Sequence, residues 1–260
     1  MRLIDFFDRG VALDPTRACL KDATVSRSYG DVQRRSYRIA NALAAAGFAP
    51  GQKAAVYSPN GAVAFECILG IVRGAQVWVP INARNTAGEN AYILDNCDVE
   101  VLFYHSEFET NVEVFRRDCP KIRIYVCIDR AGTDAPFLED WIAAAPETDP
   151  DIPEDRDATI SIVSSGGTTG RPKGVMLSHA NIMSNVAGAL QVARHLVIDQ
   201  EDRDMVALLH GIDASQKIDE PGQPKRGFIR PKRRFFKDIA CHDFEEHDPD
   251  HAGQQQHGDA

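Results

Sequence analysis

No segment of this chain approaches the roughly 20 consecutive apolar residues that a bilayer-spanning helix needs. Residues 1–10 mix acidic, basic and aromatic side chains. They lack the basic stretch followed by an apolar run that marks a secretory leader. Positive charge is also scarce. Lys and Arg number 29 against 38 Asp and Glu, a net charge of −9, which argues against a general nucleic-acid binder. The six cysteines, at 19, 67, 97, 119, 127 and 241, include no C-x-x-C pair, so the common zinc and redox spacings are missing. Most sit among apolar neighbours, as buried free thiols do, and this usage suits a reducing cytoplasm.

What is present is an ordinary globular composition. Hydrophobic residues make up 43% and charged residues 26% of 260, enough for one large domain or two small ones. Residues 3–9 read as a short helix, and 18–20 with 24–27 as a weak hairpin. Ser28, with Asp31 three residues on, caps a helix. Its Val32, Ser36, Ile39, Ala40 and Leu43 share one face, and Gly47 and Pro50 end it. Residues 53–57, 77–81, 100–104 and 122–128 read as strands. Helices are expected over 62–73, 107–117 and 137–145, and from the Thr86 cap to residue 96. The 62–73 helix is apolar on every side except at Glu66 and Arg73, which predicts burial. This alternation predicts an α/β fold, a mostly parallel sheet flanked by helices, with ligands at the C-terminal strand ends. The Pro- and acid-rich stretch 146–157 reads as a surface linker.

The most informative stretch follows that linker. A short apolar strand, residues 160–163, enters Ser164-Ser165-Gly166-Gly167-Thr168-Thr169-Gly170-Arg171-Pro172-Lys173-Gly174, and a second strand follows over 175–177. Glycines let backbone N–H groups approach an anion closely. Hydroxyls add donors, and Lys173 adds a compact positive charge. The spacing is not that of a Walker A loop, because Pro172 precedes the lysine and no Ser or Thr follows it.

The stretch resembles the phosphate-binding loop of the adenylate-forming (AMP-binding) superfamily, which includes acyl- and aryl-CoA synthetases. The pattern [ST]-[SG]-G-T-T-G-x-P-K-G-V is met position by position over residues 165–175, and Ser178-His179-Ala180-Asn181 matches the S-H-x-N that follows it. Upstream, Ser58-Pro59-Asn60, Phe65, Gly70, Gly74-Ala75 and Val79-Pro80-Ile81-Asn82 are similar to a second family segment, and Ser28-Tyr29-Gly30-Asp31 to its helix start. The resemblance implies a partial N-terminal domain of the adenylate-forming fold over residues 5–204. It also implies a two-step reaction: a carboxylate attacks ATP to give an acyl-adenylate, and a thiol, usually of coenzyme A, takes the acyl group. Ser164, Ser165, Gly166, Gly167, Thr168, Thr169, Gly170 and Lys173 are then the expected phosphate-binding residues. The S-G-G-T-T-G form leans toward an aliphatic acid.

The resemblance stops soon afterwards. The family's P-L-x-H-x-x-G segment does not develop after a candidate strand at 205–210, and its Mg²⁺-binding glutamate segment, ribose-binding aspartate and catalytic lysine do not follow. Residues 205–260 lose apolar periodicity, pass through a basic run at 225–237 and an acidic run at 243–250, and are expected to be disordered. Cys241, His242, His247, His251 and His257 fit no standard zinc spacing. The chain therefore offers phosphate-binding residues but no catalytic residue and no metal ligand. The expected reading is a fragment of an acyl-CoA synthetase, inactive alone, with ATP, Mg²⁺ and CoA implied by family. Two alternatives stay open: a non-enzymatic nucleotide- or partner-binding remnant, and a half-enzyme completed by another chain. An exposed sheet edge is expected to favour self-association.

Overall fold

The computed structural model describes residues 2–165 and 173–195. The expected strand at 205–210, the disordered tail, the basic run and the Cys/His cluster lie outside these residues. Helix α1 (Leu3–Leu13) is followed by an antiparallel pair, β1 (Ala18–Lys21) and β2 (Ser26–Ser28), and by α2 (Tyr29–Ala45). Then strands and helices alternate: β3 (Lys53–Tyr57), α3 (Ala62–Arg73), β4 (Val77–Pro80), α4 (Ala87–Asn96), β5 (Val99–Tyr104), α5 (Glu109–Asp118), β6 (Ile124–Cys127) and α6 (Leu138–Ile142). A hairpin of β7 (Thr159–Ser164) and β8 (Gly174–Ser178) leads into α7 (His179–His195). The main sheet has the order β6-β5-β3-β4-β7-β8. It is parallel from β6 through β7, and only β8 runs antiparallel. This is the mostly parallel, helix-flanked sheet that the alternation predicts.

Period-two alternation sorts the strands onto two cores. Ala55, Tyr57, Val79, Leu102 and Tyr104 face α4 and α5, where they meet Leu94, Val112 and Phe115. Ala54, Val56, Val101, Phe103 and Val126 face the other way, toward Ile39 and Leu43 of α2, Cys67 and Ile71 of α3, and Leu138 of α6. Both faces are covered, as a parallel sheet requires. The caps form as read. Ser28 accepts the Asp31 N–H at 3.2 Å while Asp31 accepts the Ser28 N–H at 3.1 Å, and Thr86 and Glu89 exchange the same pair.

Several boundaries differ for tertiary reasons. Helix α1 continues to Leu13 because Val11 is buried and Gly10 lies against the Tyr29 ring, where an added Cβ would come within 3.0 Å. The helix expected from residue 107 opens instead as a 3-10 turn, Ser106–Phe108, capped by His105. Glu66 and Arg73 do not break the burial of α3, since both are fully buried themselves. Arg73 donates to both Asp8 oxygens at 2.6 and 2.9 Å, donates to Ser36 Oγ, and sits 4.4 Å from the Tyr37 ring centroid. Glu66 accepts from Arg35 and Arg27, and Arg35 also grips Glu139 of α6. Burial opposes the Arg35 charge, but Glu139 and Glu66 hold its pKa above the ordinary arginine value.

The acidic linker is held down rather than draped. Arg38 pairs with Glu147, Arg73 lies 3.7 Å from Asp149, and the Asn41 amide donates to the carbonyls of Pro146 and Thr148. At the far end, His179 is buried and its Nδ1 accepts the Leu3 N–H at 3.1 Å, which ties the start of α7 to the start of α1.

Two outcomes are expected. Gly70 lets α3 cross α2, since an added Cβ would lie 2.4 Å from Ile39 Cγ2. Gly70→Ala is therefore expected to lower unfolding stability by about 1–3 kcal/mol in urea titration, through overpacking. His179 has its pKa lowered from 6.5 by burial and by Arg2. As pH falls through that ordinary value the unfolded chain takes up a proton that the folded chain refuses, so stability falls. Urea midpoints at about pH 7.5 and about pH 5.5 should separate further for the native chain than for His179→Gln.

Candidate phosphate-binding site

The β7–β8 hairpin brings the two ends of the glycine-rich stretch together. Ser164 pairs with Gly174 and Val163 with Val175 in antiparallel register. Beyond the last ladder pair, the Ser165 N–H donates to the Lys173 carbonyl at 2.8 Å, and the Lys173 N–H donates to Ser165 Oγ at 3.2 Å. The segment between these residues is thus anchored at both ends. Ser165 uses its oxygen as an acceptor in this clamp, which leaves the hydroxyl hydrogen available to a phosphate oxygen. Ser164 is half-buried, while Ser165 and Lys173 are exposed. Gly166, Gly167, Thr168, Thr169 and Gly170, the other sequence-derived candidates, lie outside the described residues. Gly174 after the lysine has a packing reason. An added Cβ would come 2.7 Å from Ile162 Cγ2.

The hairpin joins the parallel sheet where β7 pairs with β4. Trp78 and Ser161 are the residues in register between β4 and β7, and the buried Ser161 hydroxyl donates to the Trp78 carbonyl at 2.9 Å. The sequence reading assigned Ser161 no role. The available signal was a serine between two isoleucines in an otherwise apolar strand.

The loop's position follows from topology. The chain leaves β3 for β4 on one side and then crosses to β5 on the other, so strand order reverses between β3 and β5. Helix α3 packs with the α2 side of the sheet and α4 with the other. Such a reversal opens a crevice at the C-terminal strand ends. Beside it, at the C-terminal ends of β3 and β4, lies a cavity of about 320 Å³ bordered by Ser58, Asn60, Phe65, Ile68, Trp78 and Ile81. Phe65 at its rim is 45% exposed although it lies on a largely buried helix. The glycine-rich segment follows the C-terminal end of β7, one strand over from β4, so both features occupy the same edge of the sheet. Among the described residues no group of three or more His, Cys, Asp or Glu side chains is arranged to hold a metal ion. No step through a metal is derived from them.

This fold and loop belong to a defined class. The pattern of the AMP-binding enzyme family matches residues 7–216, and the chain belongs to that family. Among curated proteins it is 29% identical over 196 residues to a 3-oxocholest-4-en-26-oate–CoA ligase of Rhodococcus rhodochrous, covering 73% of this chain and 35% of that one. It is 32% identical over 173 residues to a fatty acid–[acyl-carrier-protein] ligase of Streptomyces coeruleorubidus, covering 66% of this chain and 32% of the relative. Among solved structures it is similar to an anthranilate CoA ligase in complex with anthranoyl-AMP. The TM-score is 0.67 at 25% identity, over 71% of this chain and 36% of that one. The chain spans about a third of the length of the curated relatives it matches.

The junction yields a test. Ser161→Ala removes one buried hydrogen bond and leaves the Trp78 carbonyl less satisfied, a loss of about 1 kcal/mol. Hydrogen exchange should then rise at residues of β7 and β8 before it rises in β3 or β5. Uniform protection across all four strands would contradict this account of the junction.

Proposed function

We propose that this chain is the phosphate-gripping part of an ATP-dependent acyl-CoA synthetase, a carboxylic acid–CoA ligase that works through an acyl-adenylate. The observation that carries the reading is the clamped hairpin. Ser165 and Lys173 close the ends of a glycine-, serine- and threonine-rich segment at the C-terminal edge of a parallel sheet. Membership of the AMP-binding enzyme family supports it. In this reading the backbone N–H groups of residues 166–170, the hydroxyls of Ser164, Ser165, Thr168 and Thr169, and the Lys173 ammonium hold the β- and γ-phosphates of ATP. Phosphate chemistry of this kind rests on positioning and on preorganised charge. When bound, ATP supplies the α-phosphorus that the substrate carboxylate attacks, and CoA accepts the acyl group. The relatives' named substrates, a steroid acid and fatty acids, make an apolar carboxylic acid the proposed substrate class.

We place the domain at residues 5–204 and the chain in a reducing cytoplasm, in keeping with the free thiols at Cys19, Cys67, Cys97, Cys119 and Cys127. No described helix is long and apolar enough to cross a membrane. In this reading the chain holds ATP without completing the reaction alone.

One observation favours a second reading. Among the described residues β8 is the last strand of the sheet, and Val175 and Met176 on it are 48% and 65% exposed. That edge suits another chain, either a second copy or one that completes the site.

The reading is tested with ATP binding by calorimetry and with carboxylate-dependent ATP–pyrophosphate exchange. The expected result is ATP binding that Lys173→Ala weakens about tenfold or more, the worth of one charge-assisted contact, with no exchange by the chain alone. Absence of ATP binding would sink the proposal. Exchange by the chain alone would refute its dependence on further sequence. Exchange that appears only on adding the remaining segment of a relative would support the second reading, and sedimentation of the same sample would reveal a second copy on the edge.

A further inference from the structure

A larger cavity lies at the opposite edge of the sheet. It encloses about 530 Å³, within the range of small-molecule sites. Lys53, Val77 and Thr159, the first residues of β3, β4 and β7, all border it. These strands are parallel, so the cavity opens at their N-terminal ends. The phosphate loop leaves the other end of β7, roughly 17 Å away at the usual rise per residue. The two sites are separate.

The walls are chiefly apolar, from Pro50, Val77, Ile152, Pro153, Ile162 and Met176. Into this lining come Arg2, Lys53, His179 and Asp155. Arg2 is only 9% exposed, and its Nη1 is buried without a hydrogen-bond partner. Its Nε reaches Asp5 at 3.4 Å, which leaves the outer part of the fork unmatched. A buried N–H without an acceptor is unfavourable, and a charged acceptor brought to it is held strongly. The Asp155 carboxylate is already engaged, since its Oδ1 accepts the N–H groups of Asp157 and Ala158 at 2.9 and 3.2 Å. His179 spends Nδ1 on the Leu3 N–H, so its other nitrogen carries the proton. The cavity therefore presents two cations and a neutral imidazole, with Asp155 turned to the backbone and Asp5 already on Arg2. A dianion would meet these carboxylates, whereas a monoanion with an apolar body satisfies the unpartnered Arg2 Nη1, Lys53 and the walls.

We propose that this cavity binds an organic monocarboxylate, its oxygens on Arg2 and Lys53 and its apolar body against Val77, Ile152, Ile162 and Met176. The site is independent of the phosphate loop, and binding there involves no bond making or breaking.

The test is calorimetric titration of the whole chain with decanoate, decanol and inorganic phosphate. Decanoate is expected to bind, with decanol and phosphate each at least about tenfold weaker, the worth of one charge-assisted hydrogen bond. Arg2→Met should lower decanoate affinity by a similar factor and leave decanol unchanged. Met176→Asp, at a side chain that is 65% exposed and so safe for the fold, should weaken decanoate by setting a like charge beside it. Lys173→Ala should leave decanoate binding intact, which keeps this outcome distinct from that of the ATP experiment. The proposal is overturned by no decanoate binding, by equal binding of decanol or phosphate, by indifference to both Arg2→Met and Met176→Asp, or by loss of binding in Lys173→Ala.

Discussion

The buried guanidinium of Arg73 is the constraint on which the helical layer depends. It closes α3 with no exposed surface, and so its charge must be met inside the protein. Asp8 of α1 meets it bidentately, Ser36 of α2 accepts from it, and Asp149 of the linker lies near. About two turns earlier on the same helix, buried Glu66 gathers Arg27, Arg35 and, through Arg35, Glu139. Two charges that would ordinarily face water thus orient α1, α2, α6 and the linker around α3. Such pairs are weak evidence of net stability, because desolvation offsets much of the attraction. Their consequence is geometric. A shifted helix would leave a buried charge unmatched, which is far more costly than a shifted apolar contact.

The position of α3 matters for the site. It connects β3 to β4, the strands whose C-terminal ends border the cavity. Its N-terminal end carries Ala64, Phe65 and Ile68 into the cavity at the C-terminal strand ends. The β7–β8 hairpin reaches the same edge, joined to β4 through Trp78 and Ser161 and closed by the Ser165–Lys173 clamp.

Much of the fold was legible in local patterns. The caps at Ser28 and Thr86, the turn at Gly47, and the spans of β3 and α3 follow from short-range chemistry, and they appear where that chemistry puts them. Family membership was legible too, because the glycine, hydroxyl and lysine motif of residues 165–175 is contiguous. Less legible were features that depend on a distant partner. Glu66 and Arg73 break the apolar pattern of α3, yet they are among its most buried residues, and only the arrival of Arg35 and Asp8 explains this. Ser161 looked like part of a strand and proved to be its fastening. Residues 146–157 read as a surface linker, and the contacts of Pro146, Glu147 and Thr148 with Asn41 and Arg38 of α2 depend on partners about a hundred residues away.

The class of fold and the family are written in the sequence, in periodicity, capping and a contiguous motif. Strand order, the cavity at the C-terminal ends of β3 and β4, and the Arg2–Lys53 cavity at the opposite edge come from tertiary packing. The physical reason is range. A motif is set by neighbours along the chain. The register of β4 on β7 and the meeting of Arg2 with Lys53 and His179 are set by packing between segments far apart in sequence, where no local preference carries the information.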